Sequence, residues 1–276
     1  MLLSEVYQIA DEIAPKALSD EMCARYGFYD NSGLLIEAGK NVSSILFSLD
    51  FSEGAVARAI EEKVDLIITH HPAIYGKIAD ICLDNPLGNK LVRCLQNGIS
   101  VISMHLNLDA AKGGTDESLR NGILRVCSQT TGAGTSLNEK SLCEKCQVVL
   151  LEGAYGRVYN VPQITENALV EGLREEFKTS RVLLYGMGER KLNRVASFCG
   201  AGVDEGAIMF AKANGAEVII SSDFKHHLLT MAQEMGVSVV VLTHYASEDY
   251  GFKEYYKKIC QRTGLRCVYH TDTNLL

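Results

Sequence analysis

Six of the seven histidines fall in four short polar clusters, and each cluster follows a run of apolar, mostly β-branched residues. DLIIT leads to His70 and His71, and ISVISM leads to His105 with Asp109 four residues on. EVIISS leads to Asp223, His226 and His227, while VSVVVLT leads to His244 with Glu248 four residues on. A single histidine at a strand end is an ordinary polar residue of intermediate burial. Six sharing that position point instead to imidazoles and carboxylates gathered around divalent ions. No cysteine belongs to the set, which favours a catalytic or exchangeable site over a closed structural zinc site. Zinc, iron and manganese all suit such donors.

Adjacent side chains in extended chain point to opposite sides, so His70 and His71 serve a single ion poorly. Each can serve one of two neighbouring ions, bridged by solvent or by a carboxylate such as Asp109 or Glu248. HYASE suits the first turn of a helix, where positions i and i+4 share a face and His244 and Glu248 reach one centre. HLNLD reads equally as a loop.

The elements that position these clusters repeat one layout of amphipathic helix, turn, buried strand and polar cluster. Gly98, Gly215 and Gly236 stand where helices need a left-handed residue to stop. The strands are continuously apolar, as in sheets buried on both faces. The fold class expected is α/β: two α/β domains with mixed, largely parallel sheets flanked by helices. Ligands in open sheets of this kind gather beyond the carboxyl ends of the strands, where all four clusters lie. Between about residues 128 and 200 shorter strands surround a helix that Thr165 can cap. The first domain is therefore expected over residues 1–127 with 240–276, carrying most of the metal ligands, and the second over 128–239.

Hydrophobic residues make up 47% of the chain and charged ones 22%, the profile of a soluble globular protein. The net charge of −7 gives no pull toward nucleic acid or anionic membrane. The N-terminus reads as an amphipathic helix with Leu3, Val6, Ile9 and Ile13 in register, without the features of a secretory signal. Nine cysteines in no framework spacing suggest reduced thiols and a cytoplasmic setting. Cys143 and Cys146 have metal-knuckle or redox spacing, but no second pair lies nearby, and loop cysteines are the plainer reading.

Four ordered blocks, DLIITHHP, MHLNLDAAKGGTDESL, SSDFKHH and VLTHYASE, together with the loops YDNSGLLIEAG and FCGAGVDEG, resemble the signatures of the GTP cyclohydrolase I type 2-like family of dinuclear-metal-centre hexameric proteins. The resemblance runs from Asp30 to Glu248. It implies two α/β domains facing each other in a toroidal homohexamer, here without the ferredoxin-like insertion of some relatives. It also implies two divalent ions per subunit, held by His70, His71, His105, Asp109, His244 and Glu248. The activity it suggests is metal-dependent hydrolysis, with hydroxide opening the guanine ring of GTP. In that reading Glu248 is catalytic, and Lys225 and His226 act as proton donors or phosphate contacts. Storage or delivery of metal without turnover, and a ring-shaped interaction scaffold, are the alternatives. SSDFKHH can also be a helix start capped by Asp223, DNSG a simple turn, and CGAG either a phosphate cradle or a tight turn.

Overall fold

The computed structural model describes residues 1–27, 29–130, 146–152 and 155–276. Cys143 lies outside the described residues, and Cys146 is buried in an apolar core. The chain divides into two compact units, Met1–Gly114 with Phe252–Thr273, and Thr115–Gly251 with Asn274–Leu276. The change of pattern near residue 128 thus lies within a helix, and residues 240–251 fall in the second unit.

The first unit contains helices α1 (Leu3–Ile13), α2 (Lys16–Tyr26), α3 (Glu53–Glu61), α4 (Pro86–Gln96) and α5 (Leu106–Ala110). Its strands β1 (Gly33–Ile36), β2 (Ser44–Ser48), β3 (Leu66–Thr69), β4 (Ser100–Ser103) and β11 (Arg266–Tyr269) form one sheet ordered β1-β4-β3-β2-β11. All its neighbours run parallel except β1, which is antiparallel to β4. Each long crossover begins at a side-chain cap: Ser52 accepts from Ala55 N at 3.0 Å, and Asn85 accepts from Leu87 N at 2.9 Å with Pro86 next. The strand residues Leu46, Ile67 and Val101 pack on Val56 and Ala59 of α3 and Leu91 and Cys94 of α4. Each such fully buried large side chain contributes about 1.5–3 kcal/mol.

The second unit contains α6 (Thr115–Thr130), α7 (Glu166–Glu176), α8 (Glu205–Ala213), α9 (His226–Glu234) and the start of α10 (His244–Thr263), whose later turns belong to the first unit. Strands β5 (Val149–Leu150), β6 (Arg157–Thr165), β7 (Leu183–Tyr185), β8 (Lys191–Ser197), β9 (Val218–Ser221) and β10 (Ser238–Val241) are ordered β5-β6-β8-β9-β10-β7. This sheet is mixed, with β8, β9 and β10 parallel and the other pairs antiparallel. Alternation along β9 sends Val218 and Ile220 into a core with α6 and α7, and Ile219 into another with α8 and α9. Thr165 caps α7 as its sequence suggests, accepting from Ala168 N at 3.3 Å. Gly98, Gly215 and Gly236 all have the left-handed φ, between 69° and 76°, expected at their helix stops. Among the described residues, no helix is long and apolar enough to cross a membrane.

Candidate metal centre

In the first unit, parallel pairing aligns Ser48, Thr69 and Ser103 at the carboxyl ends of β2, β3 and β4. The next residues of each strand, Leu49–Asp50, His70–His71 and Met104–His105, therefore emerge side by side. β3 ends at Thr69, so the alternation expected for two extended histidines does not apply. His70 N and His71 N both donate to Leu49 O, at 3.1 and 2.9 Å, which turns the chain out of the strand. The two rings lie with centroids 5.0 Å apart, and the His105 ring lies 5.4 Å from His70 and 5.7 Å from His71. One ring nitrogen from each of the three comes within 4.8 Å of the others.

Every one of these imidazoles has its Nδ1 proton committed to a fixed acceptor. His70 Nδ1 donates to Met104 O, His71 Nδ1 to Asp50 Oδ1 and His105 Nδ1 to Asp30 Oδ1, each at 2.7 Å. A proton held on Nδ1 makes Nε2 the basic nitrogen and fixes the ring plane, the usual second-shell arrangement of a metal-ligating histidine. Burial opposes the charge on Asp30, but hydrogen bonds from His105, Ser19 and Ser32 outweigh it and hold the carboxyl below the ordinary range. HLNLD proves to be helical: His105 O accepts from Asp109 N at 3.1 Å as α5 begins. The buried Asp109 carboxylate lies with Oδ1 3.4 Å from His70 Nε2.

The second unit builds a smaller set by the same means. β9 and β10 are parallel neighbours, and Asp223 and His244 follow their carboxyl ends. His244 Nδ1 donates to Asp223 Oδ2 at 2.5 Å, and His244 Nε2 lies 3.0 Å from Glu248 Oε2, one helical turn along α10. Thr243 Oγ1 caps that helix by accepting from Ala246 N at 3.0 Å. The Glu248 carboxyl group is buried, and Gly200 makes the space for it. A Cβ at Gly200 would lie 1.9 Å from Glu248 Oε1 and 3.2 Å from His244 Nε2, and its φ of +52° suits glycine. The CGAG loop thus seats a carboxylate. Asp223 does not cap α9 either: Lys225 holds that position without a side-chain bond, and Asp223 turns to His244 through a left-handed backbone, φ 47°. Lys225, His226 and His227 are exposed, and none enters the hydrogen-bonded run of Asp223, His244 and Glu248.

The structure therefore groups His70, His71, His105 and Asp109 in one unit, and His244 with Glu248 in the other. Three converging nitrogens, with a buried oxygen 3.4 Å from one of them, are donors that suit divalent ions of borderline hardness. The profile of Duf34/NIF3 (NGG1p interacting factor 3) matches residues 1–274. The chain belongs to this family. Among curated relatives, it is 27% identical over 248 residues to the GTP cyclohydrolase 1 type 2 homolog of Clostridium acetobutylicum, covering 89% of this chain and 85% of that one. The homolog of the same name from Clostridium perfringens is 28% identical over 250 residues, covering 90% and 87%. Among solved structures, reduced HcgD from Methanocaldococcus jannaschii superposes with a TM-score of 0.77 at 24% identity, over 98% of this chain and 97% of that one. That likeness concerns the fold.

Asp50 escaped sequence reasoning as a site residue; Asp30 entered only within a turn, Gly200 only within a phosphate cradle or tight turn, and Asp223 as a cluster residue or helix cap without its tie to His244. Asp50 did carry a signal, since it follows the buried strand SILFS as the histidines follow theirs.

Proposed function

We propose that this DUF34/NIF3 protein is a metal-dependent hydrolase with a pair of divalent ions, held by His70, His71, His105 and Asp109 together with His244 and Glu248. The observation that carries the reading is the shared state of three converging imidazoles, each with Nδ1 tied to an acceptor, beside a buried carboxylate. A bound divalent pair supplies Lewis acidity and makes water a nucleophile near neutral pH. GTP is the candidate substrate, in keeping with the names of the curated relatives. Ring opening would add one water to the imidazole carbon of guanine and break one of its two C–N bonds, leaving a formamide, and a second water would break the other C–N bond and release formate.

The chain's own residues divide that work. Asp50, Asp30 and Met104 O keep the first-unit rings in their ligating tautomer, and Asp223 does so for His244. Glu248 or Asp109 would be shared by the two ions, and Glu248 would take up the proton of the attacking water. Lys225 and His226, at the start of α9, contact phosphate or deliver a proton to the leaving nitrogen. The same reading takes the working form to be a toroidal homohexamer in the cytoplasm.

The test begins with elemental analysis of the protein as isolated, then incubation with GTP, phosphoesters and cyclic amides. Turnover should vanish in Glu248→Ala and fall about 100-fold or less in His226→Ala with metal content unchanged. Metal-loaded protein that turns over none of these, yet passes its metal readily to an acceptor, would replace the hydrolase with a metal-handling role.

A further inference from the structure

Two tyrosines of the first unit stand in solvent beside the candidate ligands. Tyr29 is 58% exposed and Tyr75 59% exposed, far more than large aromatic side chains in a folded core. Their rings meet edge to face, with centroids 6.5 Å apart and planes at 79°. Tyr75 in turn meets the His105 ring in a T-shape at 6.2 Å. This corner is held by the loop that holds the metal ligand. Asp30 accepts from His105 Nδ1, and the next residue, Asn31, donates through Nδ2 to Ile74 O at 2.6 Å, fixing the chain beside Tyr75. Successive residues of one short loop thus set the aromatic corner and orient His105 together.

We propose that Tyr29 and Tyr75 form the stacking subsite for the purine ring of a nucleotide substrate. A pair of near-perpendicular rings offers one face for stacking and one edge to bound the plane. Stacking on aromatic side chains is the common sequence-tolerant way to hold a base. A purine against Tyr75 is kept beside His105, where ring opening would take place. The assignment deepens the hydrolase reading and rests on it for the chemistry, but the binding step stands without metal.

Calorimetric titration of the full chain, chelated and metal-loaded, with GTP, ATP and inorganic triphosphate tests it. Both nucleotides should bind more tightly than triphosphate. Tyr75→Ala should weaken nucleotide binding about 5- to 100-fold, Tyr75→Phe less than about threefold, and neither should change triphosphate binding or metal content. Equal binding of triphosphate and nucleotides, no binding of either nucleotide, or wild-type affinity in Tyr75→Ala would overturn it. So would a Tyr75→Ala variant that changes oligomeric state and leaves nucleotide affinity alone. Nucleotide bound through Tyr75 without turnover would remove the hydrolase and keep the subsite, whereas turnover of other substrates without nucleotide binding would do the reverse.

Discussion

Residues 52–71 and 204–223 follow the same plan, position for position, in the two units. Ser52 and Asp204 cap α3 and α8, and Lys63 and Gly215 both take a left-handed φ after the helix. Asp65 and Glu217 then accept from the amides of the neighbouring strand, and β3 and β9 run buried to their ends. The plans diverge at the last two residues: His70–His71 in the first unit, Ser222–Asp223 in the second. One strand end presents two candidate metal donors, and its counterpart presents a hydroxyl bonded to Ser247 and a carboxylate that accepts from His244 Nδ1. The comparison separates scaffold from chemistry, because the backbone is common and only the terminal side chains decide which role is taken.

Leu49 and Gly200 give the most severe test of that separation. Both offer a carbonyl to the matching residue of the next strand end, His70 N at 3.1 Å and Ser222 N at 3.2 Å. Only the second unit needs glycine there, because Glu248 fills the space of a Cβ. Gly200→Ala should cost about 2–4 kcal/mol in urea unfolding, from backbone strain and overpacking combined. The metal content should fall without vanishing, since the first-unit donors are untouched. Unchanged stability would mean that Glu248 does not rest against Gly200.

A graded series sharpens the comparison next. The carboxylates that orient His105, His71 and His244 differ in side-chain exposure: 0% for Asp30, 32% for Asp50 and 53% for Asp223. Water replaces an exposed partner more easily than a sequestered one. Alanine at these positions should lower metal affinity in that order, about 100-fold for Asp30 and nearer tenfold for Asp223, measured by competition with a chelating dye. Equal losses at all three would show that exposure does not set their worth.

Much of this was legible in the chain because buried parallel strands write themselves as unbroken apolar runs. The polar residues that follow LIIT and SVVV announce the functional end of each sheet, and the i, i+4 pair in HYASE announces its helix. What the sequence could not convey is lateral. Asp50 matters because β2 lies beside β3, and strand order is a long-range property that no local pattern encodes. The same holds for Asp30, brought to His105 from 75 positions away. The two histidines of HHP converge because the strand ends with its apolar run at Thr69 and both following amides turn onto Leu49 O. Unit boundaries were obscure for another reason: they coincide with the first residue of α6 and the interior of α10, where helical periodicity continues without a linker.

The smallest expected effect belongs to Asp65, on the shared scaffold rather than at the divergent ends. Burial pushes its carboxyl pKa up, but hydrogen bonds from the Ser43 hydroxyl and from the amides of Ser43 and Ser44 outweigh this and leave it lowered. A depressed native pKa gives stability that is present above the unfolded carboxylate value and lost as pH falls through the native one. Asp65→Asn should therefore be less stable than wild type at pH 7 by about 1 kcal/mol, with the gap closing in acid. The change should appear as faster hydrogen exchange at the amides of β2 and β3, while β8 and β9, served by Glu217, keep theirs. If all four strands loosen equally, the two copies of the plan are energetically coupled, and the independence assumed for Gly200→Ala fails with it.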